Sequence, residues 1–228
     1  MKVIIQCAAS KCRTAGTLRT ASGDRVVFVA DPGRRSSLIS SEHYARPDEA
    51  SGEDNSTWRD VLIRYNDNSD NHLGLLRAAE LYAPNEYEFR SLYTELADRF
   101  GWTNVFVLSA GWGLIRADYR TPDYNITFST QARNRHPWVW RNAKDRTNTW
   151  ADFNHLRDVL TGKNEPIHFF GGKDYQPLFY SLMSSISGKK IVHFKGQVER
   201  IDGFEYEEYT GPENRTWHYR AVQDFVSQ

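Results

Sequence analysis

The chain has 228 residues, of which 39% are hydrophobic, and its 29 basic and 29 acidic side chains give a formal net charge of zero. This length is enough for one large domain with a substantial core. The balanced charge provides no global electrostatic attraction to nucleic acid, so only a local basic patch remains to supply it. No apolar run approaches the roughly 20 residues that a membrane-spanning helix needs, so we expect a soluble protein that does not bind a membrane.

The amino-terminal run MKVIIQCAASKC has one positive charge and a short apolar stretch, which suits an opening strand better than a signal peptide. Its two cysteines, Cys7 and Cys12, are too few for a disulfide framework or a four-ligand zinc site. We therefore expect a cytoplasmic protein. The seven histidines form no i, i+4 pair with a carboxylate between them, so we expect neither a metal nor a cofactor.

The stretch 104–129, NVFVLSAGWGLIRADYRTPDYNITFS, is the most informative part of the chain. Its β-branched and apolar run 105–108 predicts a strand that is buried on both faces. Two glycines then bracket Trp112 and hold a large ring between two flexible points. Because ligands of open α/β sheets bind beyond the carboxyl ends of the strands, we expect the floor of an active site here. The hydrogen-bonding groups of this floor, expected on a loop, are Ser109, Arg116, Asp118, Asp123, Tyr124 and Asn125.

The rest of the chain alternates strand and helix patterns. Further strands are predicted at 3–7, 26–30, 167–170 and 190–194, and helices at 56–65, 75–82, 89–100, 153–160 and 174–186. Residues 34–56 are polar and without periodicity, which predicts a long loop. We expect a single three-layer α/β domain over residues 1–228, with a mainly parallel central sheet flanked by helices and a basic aromatic insertion around 130–150.

Three of the predicted strands end in polar turns. Ser10 and Lys11 follow the first strand and suit an anionic or polar ligand, although an ordinary solvated turn has the same composition. A glycine pair followed by Lys173 and Asp174 opens a helix for which Asp174 is the expected N-cap. Such a helix start points backbone N–H groups and one cation at a phosphate. Asp31 begins an Asp-Pro-Gly turn, and uracil-DNA-glycosylase-like enzymes place a similar pair after their first strand, but such turns are common without catalysis.

The segment 133–146, RNRHPWVWRNAKDR, has five Lys or Arg residues against one Asp, with two tryptophans among them. Positive charge interleaved with aromatic rings is typical of an arm that grips phosphates and stacks on bases. An amphipathic segment with both tryptophans in the core is the alternative. The DNA-binding candidates are Arg133, Arg135, Trp138, Trp140, Arg141 and Lys144.

Several of these motifs occur in the same order in a known family. The chain resembles the YaaA-like peroxide-stress proteins and their bacterial and phage relatives. The resemblance rests on four motifs: the opening strand with Cys7 and Ser10-Lys11, the block LSAGWGLI at 108–115, the later Pro122 with Tyr124, and GKDY at 172–175. The resemblance implies association with DNA, and a phage-defence relative excises glucosylated hydroxymethylcytosine from phage DNA. Where that family's pattern has Tyr-Asp after the proline, this chain has Tyr124-Asn125, with an aspartate at 123.

The first functional hypothesis is a DNA glycosylase that flips out a modified base and leaves an abasic site. Trp112 would stack on the base, and Ser109, Arg116, Tyr124 and Asn125 would recognise its polar groups. Phosphates would be held by Ser10, Lys11 and Lys173, next to Asp174. Asp123 or Asp118 would orient water or stabilise the sugar cation. A lysine nucleophile with lyase activity is also compatible with the sequence, but nothing in it selects one lysine.

Two other hypotheses use the same residues. A non-catalytic DNA-binding stress protein would bind many DNAs in a salt-dependent way and release no base. An enzyme acting on a nucleotide would use the predicted helix start at 172–175 and ignore duplex DNA. DNA is the expected partner under the first two hypotheses, and no obligate protein partner is evident.

Overall fold

A computed structural model describes residues 1–34, 41–52, 54–145, 150–159, 165–212 and 214–227, and the structural statements below refer to these ranges. Its strands are β1 (Lys2–Gln6), β2 (Arg25–Val29), β3 (Glu42–Ala45), β4 (Leu76–Arg77), β5 (Val105–Ser109), β6 (Gly113–Arg116), β7 (Arg120–Thr121), β8 (Tyr124–Asn125), β9 (Phe153–Asn154), β10 (Ile167–Phe170), β11 (Lys190–Phe194) and β12 (Glu205–Glu208). Its α-helices are α1 (Trp58–Asp67), α2 (Ala78–Leu81), α3 (Leu92–Phe100), α4 (Thr130–Arg135), α5 (His155–Val159), α6 (Gln176–Met183) and α7 (Trp217–Ser227). Single 3-10 turns occur at Pro32–Arg34, Tyr87–Phe89 and Pro137–Val139.

Seven strands form the central sheet, in the order β12-β11-β10-β1-β5-β6-β9. All neighbouring pairs are parallel except β5 and β6, which form an antiparallel hairpin. Every residue of β5, β10 and β11 is buried, as expected for parallel strands that are covered on both faces. The α/β class with a mainly parallel sheet is therefore confirmed.

Helices cover both faces of the sheet. Phe169 of β10 stacks on Phe179 of α6, with ring centroids 4.2 Å apart. Its neighbours His168 and Phe170 instead contact Phe225 of α7, at 4.6 and 5.3 Å. Because successive side chains of a strand point to opposite faces, α6 and α7 lie on opposite sides of the sheet, which gives three layers.

Local signals placed several helix ends correctly. Thr57 caps α1 through a capping box with Asp60, in which each side chain bonds the backbone N–H of the other residue. Helix α3 ends at Gly101, whose φ of 90° is a conformation that L side chains rarely adopt. The predicted helix at 75–82 is shorter, because only Ala78–Leu81 is helical and the chain before it pairs with β7.

Three expectations about the topology were wrong. Strand β2 leaves the central sheet and forms a separate small sheet in the order β3-β2-β8. The polar stretch 34–56 contains β3, although residues 35–40 and 53 lie outside the described ranges. Residues 113–125 are not a loop but contain β6, β7 and β8. The hairpin turn at Gly113 has a φ of 86°, and a Cβ there would lie 2.7 Å from the backbone of Phe153.

No helix in the described ranges is both long enough and apolar enough to cross a lipid bilayer.

A stacked histidine pair lies between the sheet and α7. His168 Nδ1 and His193 Nε2 are 3.0 Å apart, so one ring donates a hydrogen bond to the other. Burial lowers the pKa of His168 to about 4 and that of His193 to about 3, although Glu207 is 3.6 Å from the outer nitrogen of His193. Both values lie below the roughly 6.5 of an unfolded histidine. The unfolded chain therefore binds more protons between pH 6.5 and 4, and stability must fall as the pH falls through that window.

We predict that His193→Phe flattens this pH dependence, because it removes one titrating group and keeps a ring that can stack on Phe170. Urea unfolding between pH 7.5 and 4.5 measures the effect, and His72→Phe, at an exposed position, is the matched control. An equal loss of stability on acidification in both variants would contradict the assignment.

Candidate active site

Three parallel strands bring their following residues together at one edge of the sheet. Cys7 follows β1, Ser109 ends β5, and Tyr175 lies beyond β10. The Cys7 thiol is 3.2 Å from the Tyr175 hydroxyl and 3.3 Å from that of Tyr124. We call the group Cys7, Lys11, Tyr82, Ser109, Tyr124 and Tyr175 the strand-end cluster. The sequence motifs that are far apart in the chain thus meet in space.

The Tyr124 hydroxyl is the centre of this cluster. It accepts a hydrogen bond from Ser109 Oγ at 2.9 Å and lies 3.0 Å from the Tyr82 hydroxyl. Burial raises the pKa of both tyrosines well above the ordinary value. Both phenols therefore stay protonated and act as hydrogen-bonding groups.

Lys11 lies at the edge of the cluster and is the most polar group in it. Its Nζ is 4.1 Å from the centre of the Tyr124 ring and 4.0 Å from Asp123 Oδ1. Burial lowers the pKa of this lysine, against the opposing effects of Cys7 and Asp123. The Asp123 side chain is 39% exposed, so this end of the cluster reaches solvent.

Ser109 and Trp112, both predicted to contact substrate, are completely buried. The Ser109 hydroxyl also accepts hydrogen bonds from the backbone N–H groups of Gly111 and Trp112, and so fixes the turn after β5. Trp112 packs against Phe28 and Phe153. A ring without exposed surface has no face for an extruded base, so we assign Trp112 to the core and correct the stacking prediction.

The helix start at residues 172–175 also differs from the prediction. Helix α6 has Tyr175 as its N-cap, and Asp174 is not the capping residue. The N–H of Gly172 donates to Gln6 Oε1 at 2.6 Å, so it is not available to a phosphate. Lys173 is exposed and Asp174 is half-buried, with its pKa raised by burial. The turn therefore lies at the expected edge but lacks the expected row of free N–H groups.

Arg116 and Asp118 lie at the other end of the sheet. Strand β6 runs antiparallel to β5, so the chain returns to the start of β5, where the Ala117 N–H donates to the Val105 carbonyl. There Arg116 Nε donates to Asp118 Oδ1. This position separates both residues from the strand-end cluster by the length of β5, which removes them from the candidate site.

A buried charge cluster joins the turn after β5 to the basic aromatic segment. Arg141 makes a bidentate ion pair with Asp152 and donates to the Ala110 carbonyl. Arg59 donates to the carbonyls of Gly111, Trp112 and Trp150, and its Nη2 is 3.5 Å from Asp152 Oδ1. Burial lowers the pKa of Arg59 to about 10, a value at which it stays charged at neutral pH. We call Arg59, Arg141 and Asp152 the buried arginine cluster. Arg141 is only 7% exposed, so the prediction that it contacts DNA is wrong.

A surface pocket opens beside this cluster, with a cavity volume of about 580 Å³. Its walls include two tryptophans, three arginines and three carboxylates. They comprise Ala30, Asp31, Pro32, Gly33, Arg34, Arg46, Glu49, Arg133, Asn134, Pro137, Trp140, Asn142, Asp145 and Trp150. We call this cavity the tryptophan–arginine pocket. The Arg133 guanidinium lies 5.0 Å from the Trp140 ring centre and that of Arg46 lies 4.6 Å from Trp150. Asp31 pairs with Arg34 at 2.8 Å and remains 43% exposed.

The pocket and the strand-end cluster are linked by one extended segment. Tyr124 contacts Lys11, and three residues later Thr127 pairs with Trp140 of the pocket wall. At a rise of about 3.3 Å per residue, Tyr124 and Thr127 are about 10 Å apart along the chain.

The remaining predicted residues lie outside both features. Asn125 and Trp138 line a shallower groove of about 440 Å³ on the outer face of the small sheet. Arg135 and Lys144 are exposed. The Ser10 hydroxyl donates to the Ala83 carbonyl at 2.5 Å and so has an internal partner.

The sequence patterns did not identify five residues of the two features as site residues: Tyr82, Arg59, Arg46, Trp150 and Asp152. Each of them contacts residues distant in the chain, and no local pattern marks those pairs. Within the described ranges, no group of three or more His, Cys, Asp or Glu side chains is placed to hold a metal ion. Comparisons with family models, curated proteins and solved structures return no match for this chain.

We predict that Asp152→Ala lowers the free energy of unfolding by about 3–5 kcal/mol, because it leaves two guanidinium groups buried without their carboxylate. Urea unfolding measures the loss, and Asp158→Ala, at an exposed position of α5, is the matched control. A loss below about 1 kcal/mol would mean that the carbonyl bonds alone compensate both charges.

Proposed function

We propose that this protein is a DNA glycosylase that extrudes and excises a base with a bulky polar substituent, such as glucosylated hydroxymethylcytosine of phage DNA, and leaves an abasic site. The observation that carries the proposal is the tryptophan–arginine pocket. Its volume falls within the roughly 300–1,000 Å³ of small-molecule sites. It also lies on the basic aromatic segment that the sequence marks as a DNA-contact region.

The chemistry of the pocket suits a base that carries a sugar. Aromatic faces such as those of Trp140 and Trp150 stack on bases and on the apolar faces of sugars. Carboxylates and guanidinium groups accept and donate the hydrogen bonds that hydroxyl groups need.

The surroundings of the pocket suit a DNA backbone. Arg133, Arg135 and Lys144 are exposed along the same segment, and they provide cations for phosphates on either side of the extruded nucleotide. A protein with zero net charge thus presents a basic surface where the pocket opens.

Asp123 is the carboxylate that we assign to the chemical step. It precedes Tyr124, and the chain reaches the pocket wall three residues after Tyr124, at Thr127, over a length of about 10 Å. A base and its hexosyl group can span such a length, which would put the deoxyribose near Asp123 and Lys11. In this step the bond between C1′ and the base breaks, and the base leaves with the electron pair. A water molecule gives its hydroxyl to C1′ and its proton to the base. The carboxylate stabilises the positive charge that develops on the sugar.

Trp140→Ala should lower the rate of base release by roughly one to two orders of magnitude, since a base–aromatic stack contributes about 1–3 kcal/mol. Mass spectrometry of small molecules released from glucosylated phage DNA measures this rate. Trp102→Ala is the matched control, because Trp102 stacks under Arg77 near the opposite end of β5 and should leave the rate unchanged. Binding of DNA by the wild-type protein without release of any base would overturn the proposal in favour of a DNA-binding protein.

Asp123→Asn should lower the rate of abasic-site formation by about 100-fold, as expected for the loss of an electrostatic stabiliser of the transition state. Asp118→Asn should retain full activity, because that carboxylate pairs with Arg116 at the far end of the sheet. Asp31→Asn tests a carboxylate of the pocket wall itself. A large loss in the Asp31 variant with full activity in the Asp123 variant would transfer the chemical step to Asp31.

A further inference from the structure

Lys11 differs from the other weakly exposed lysines of the described chain in its hydrogen bonding. Lys190 donates to the carbonyls of Met183 and Ile186, and Lys195 donates to those of Tyr209 and Gly211. Lys2 donates to Asn104 Oδ1. Lys11 makes no hydrogen bond with any described residue, although its side chain is only 11% exposed. Its amine is therefore held by packing and by the 4.0 Å ion pair with Asp123, and no hydrogen bond to a described residue occupies it.

The groups around Lys11 favour a neutral amine that can become a cation during a reaction. Burial lowers its pKa, which increases the neutral fraction at neutral pH. The face of the Tyr124 ring, 4.1 Å away, stabilises a positive charge that forms on the nitrogen. Asp123, at 4.0 Å, supplies a carboxylate that can take up a proton. A neutral amine can form an imine, and a neighbouring carboxylate can take up the proton that the later elimination releases.

We propose that Lys11 is a nucleophile that condenses with the aldehyde of an abasic deoxyribose, so that the protein cleaves the DNA strand at the site from which a base has been lost. The inference rests on the proposed function, because base excision produces this sugar and its ring-opened form is an aldehyde. It adds a second reaction, β-elimination, and assigns it to one lysine.

The reaction proceeds in balanced steps. The neutral Lys11 amine attacks C1′ of the ring-opened sugar, and loss of one water molecule with uptake of one proton from the solvent gives a protonated imine. Asp123 takes a proton from C2′, and the electron pair moves to form the C2′–C3′ double bond. The C3′–O bond breaks, and the phosphate leaves with the electron pair of that bond. Water then hydrolyses the protonated imine and returns the amine, while the proton of the imine and the proton held by Asp123 pass to the solvent, so no oxidant or reductant is consumed.

The test supplies abasic DNA ready-made, from a uracil-containing duplex treated with a separate uracil-removing enzyme. Borohydride is added during the reaction with the full-length protein, and it reduces the imine to a stable amine. We expect a covalent protein–DNA adduct on a denaturing gel, with the linked peptide containing Lys11 by mass spectrometry. Lys11→Arg keeps the positive charge but cannot form the imine, and it should reduce the adduct at least 100-fold. Lys189→Ala, at an exposed lysine outside the site, is the matched control and should form the adduct at the wild-type yield.

The outcomes separate this inference from the proposed function. No adduct with the wild-type protein, an adduct at another lysine, or a wild-type yield in Lys11→Arg overturns the role of Lys11. Asp123→Asn should retain the adduct and slow strand cleavage, which distinguishes the proton acceptor from the nucleophile. Failure to release a base from modified DNA, with the adduct still formed, would remove the proposed glycosylase activity and leave the lysine chemistry. A thermal melt of each variant confirms that its fold is intact.

Discussion

The buried arginine cluster is the constraint on which the candidate site depends. Two guanidinium groups and one carboxylate are removed from water, and such charges are tolerated only when nearly every donor and acceptor is paired. Arg59 and Arg141 meet this condition by bonding the carbonyls of the turn after β5 and of Trp150, as well as Asp152. The turn and the pocket wall are therefore held at fixed positions relative to each other. The bonds of Arg141 also anchor the basic aromatic segment 133–146 to the rest of the protein, although its sequence is typical of a solvated arm.

Polar groups at the carboxyl ends of the strands are stabilised in two different ways. In the interior of the strand-end cluster, the hydroxyls of Ser109, Tyr82 and Tyr124 satisfy one another, and burial keeps both phenols protonated. At its edge, Lys11 has an aromatic face and a distant carboxylate instead of a hydrogen-bond acceptor. A saturated network positions its members and resists change. The Lys11 amine beside it makes no hydrogen bond to a described residue, and this contrast is the reason for proposing Lys11, rather than the hydroxyl groups, as the reactive residue.

The sequence predicted those strands and helix ends that are determined by the residues of a short local segment. Runs rich in apolar residues identified β5, β10 and β11, and cap chemistry identified the start of α1 and the end of α3. It also placed Lys11 and Ser109 after predicted strands, whose carboxyl ends share an edge in a parallel sheet, and both residues lie against Tyr124 at that edge. It failed for Trp112 and Arg141. A tryptophan between glycines and an arginine in a basic run have the same local pattern whether they are exposed or buried. Here Trp112 packs against Phe153 and Arg141 pairs with Asp152, and these contacts, which the local pattern does not show, bury both side chains. The chain reversal at Gly113 likewise moved Asp118 to the far end of the sheet, and only tertiary structure reveals that.

The distribution of charge over the sheet adds a direction to the proposed encounter with DNA. Strand β12 forms one edge of the central sheet, and its sequence EYEE places three glutamates there. Charged edge strands discourage pairing with another chain. The buried arginine cluster joins the basic aromatic segment to the turn before β6 and to Asp152 just before β9, near the opposite edge. In the proposed complex, the glutamates would repel DNA at one edge and the basic segment would attract it near the other, although the chain has equal numbers of acidic and basic groups. Salt would weaken this orientation of the DNA more than it weakens the fold, because the charges involved are exposed.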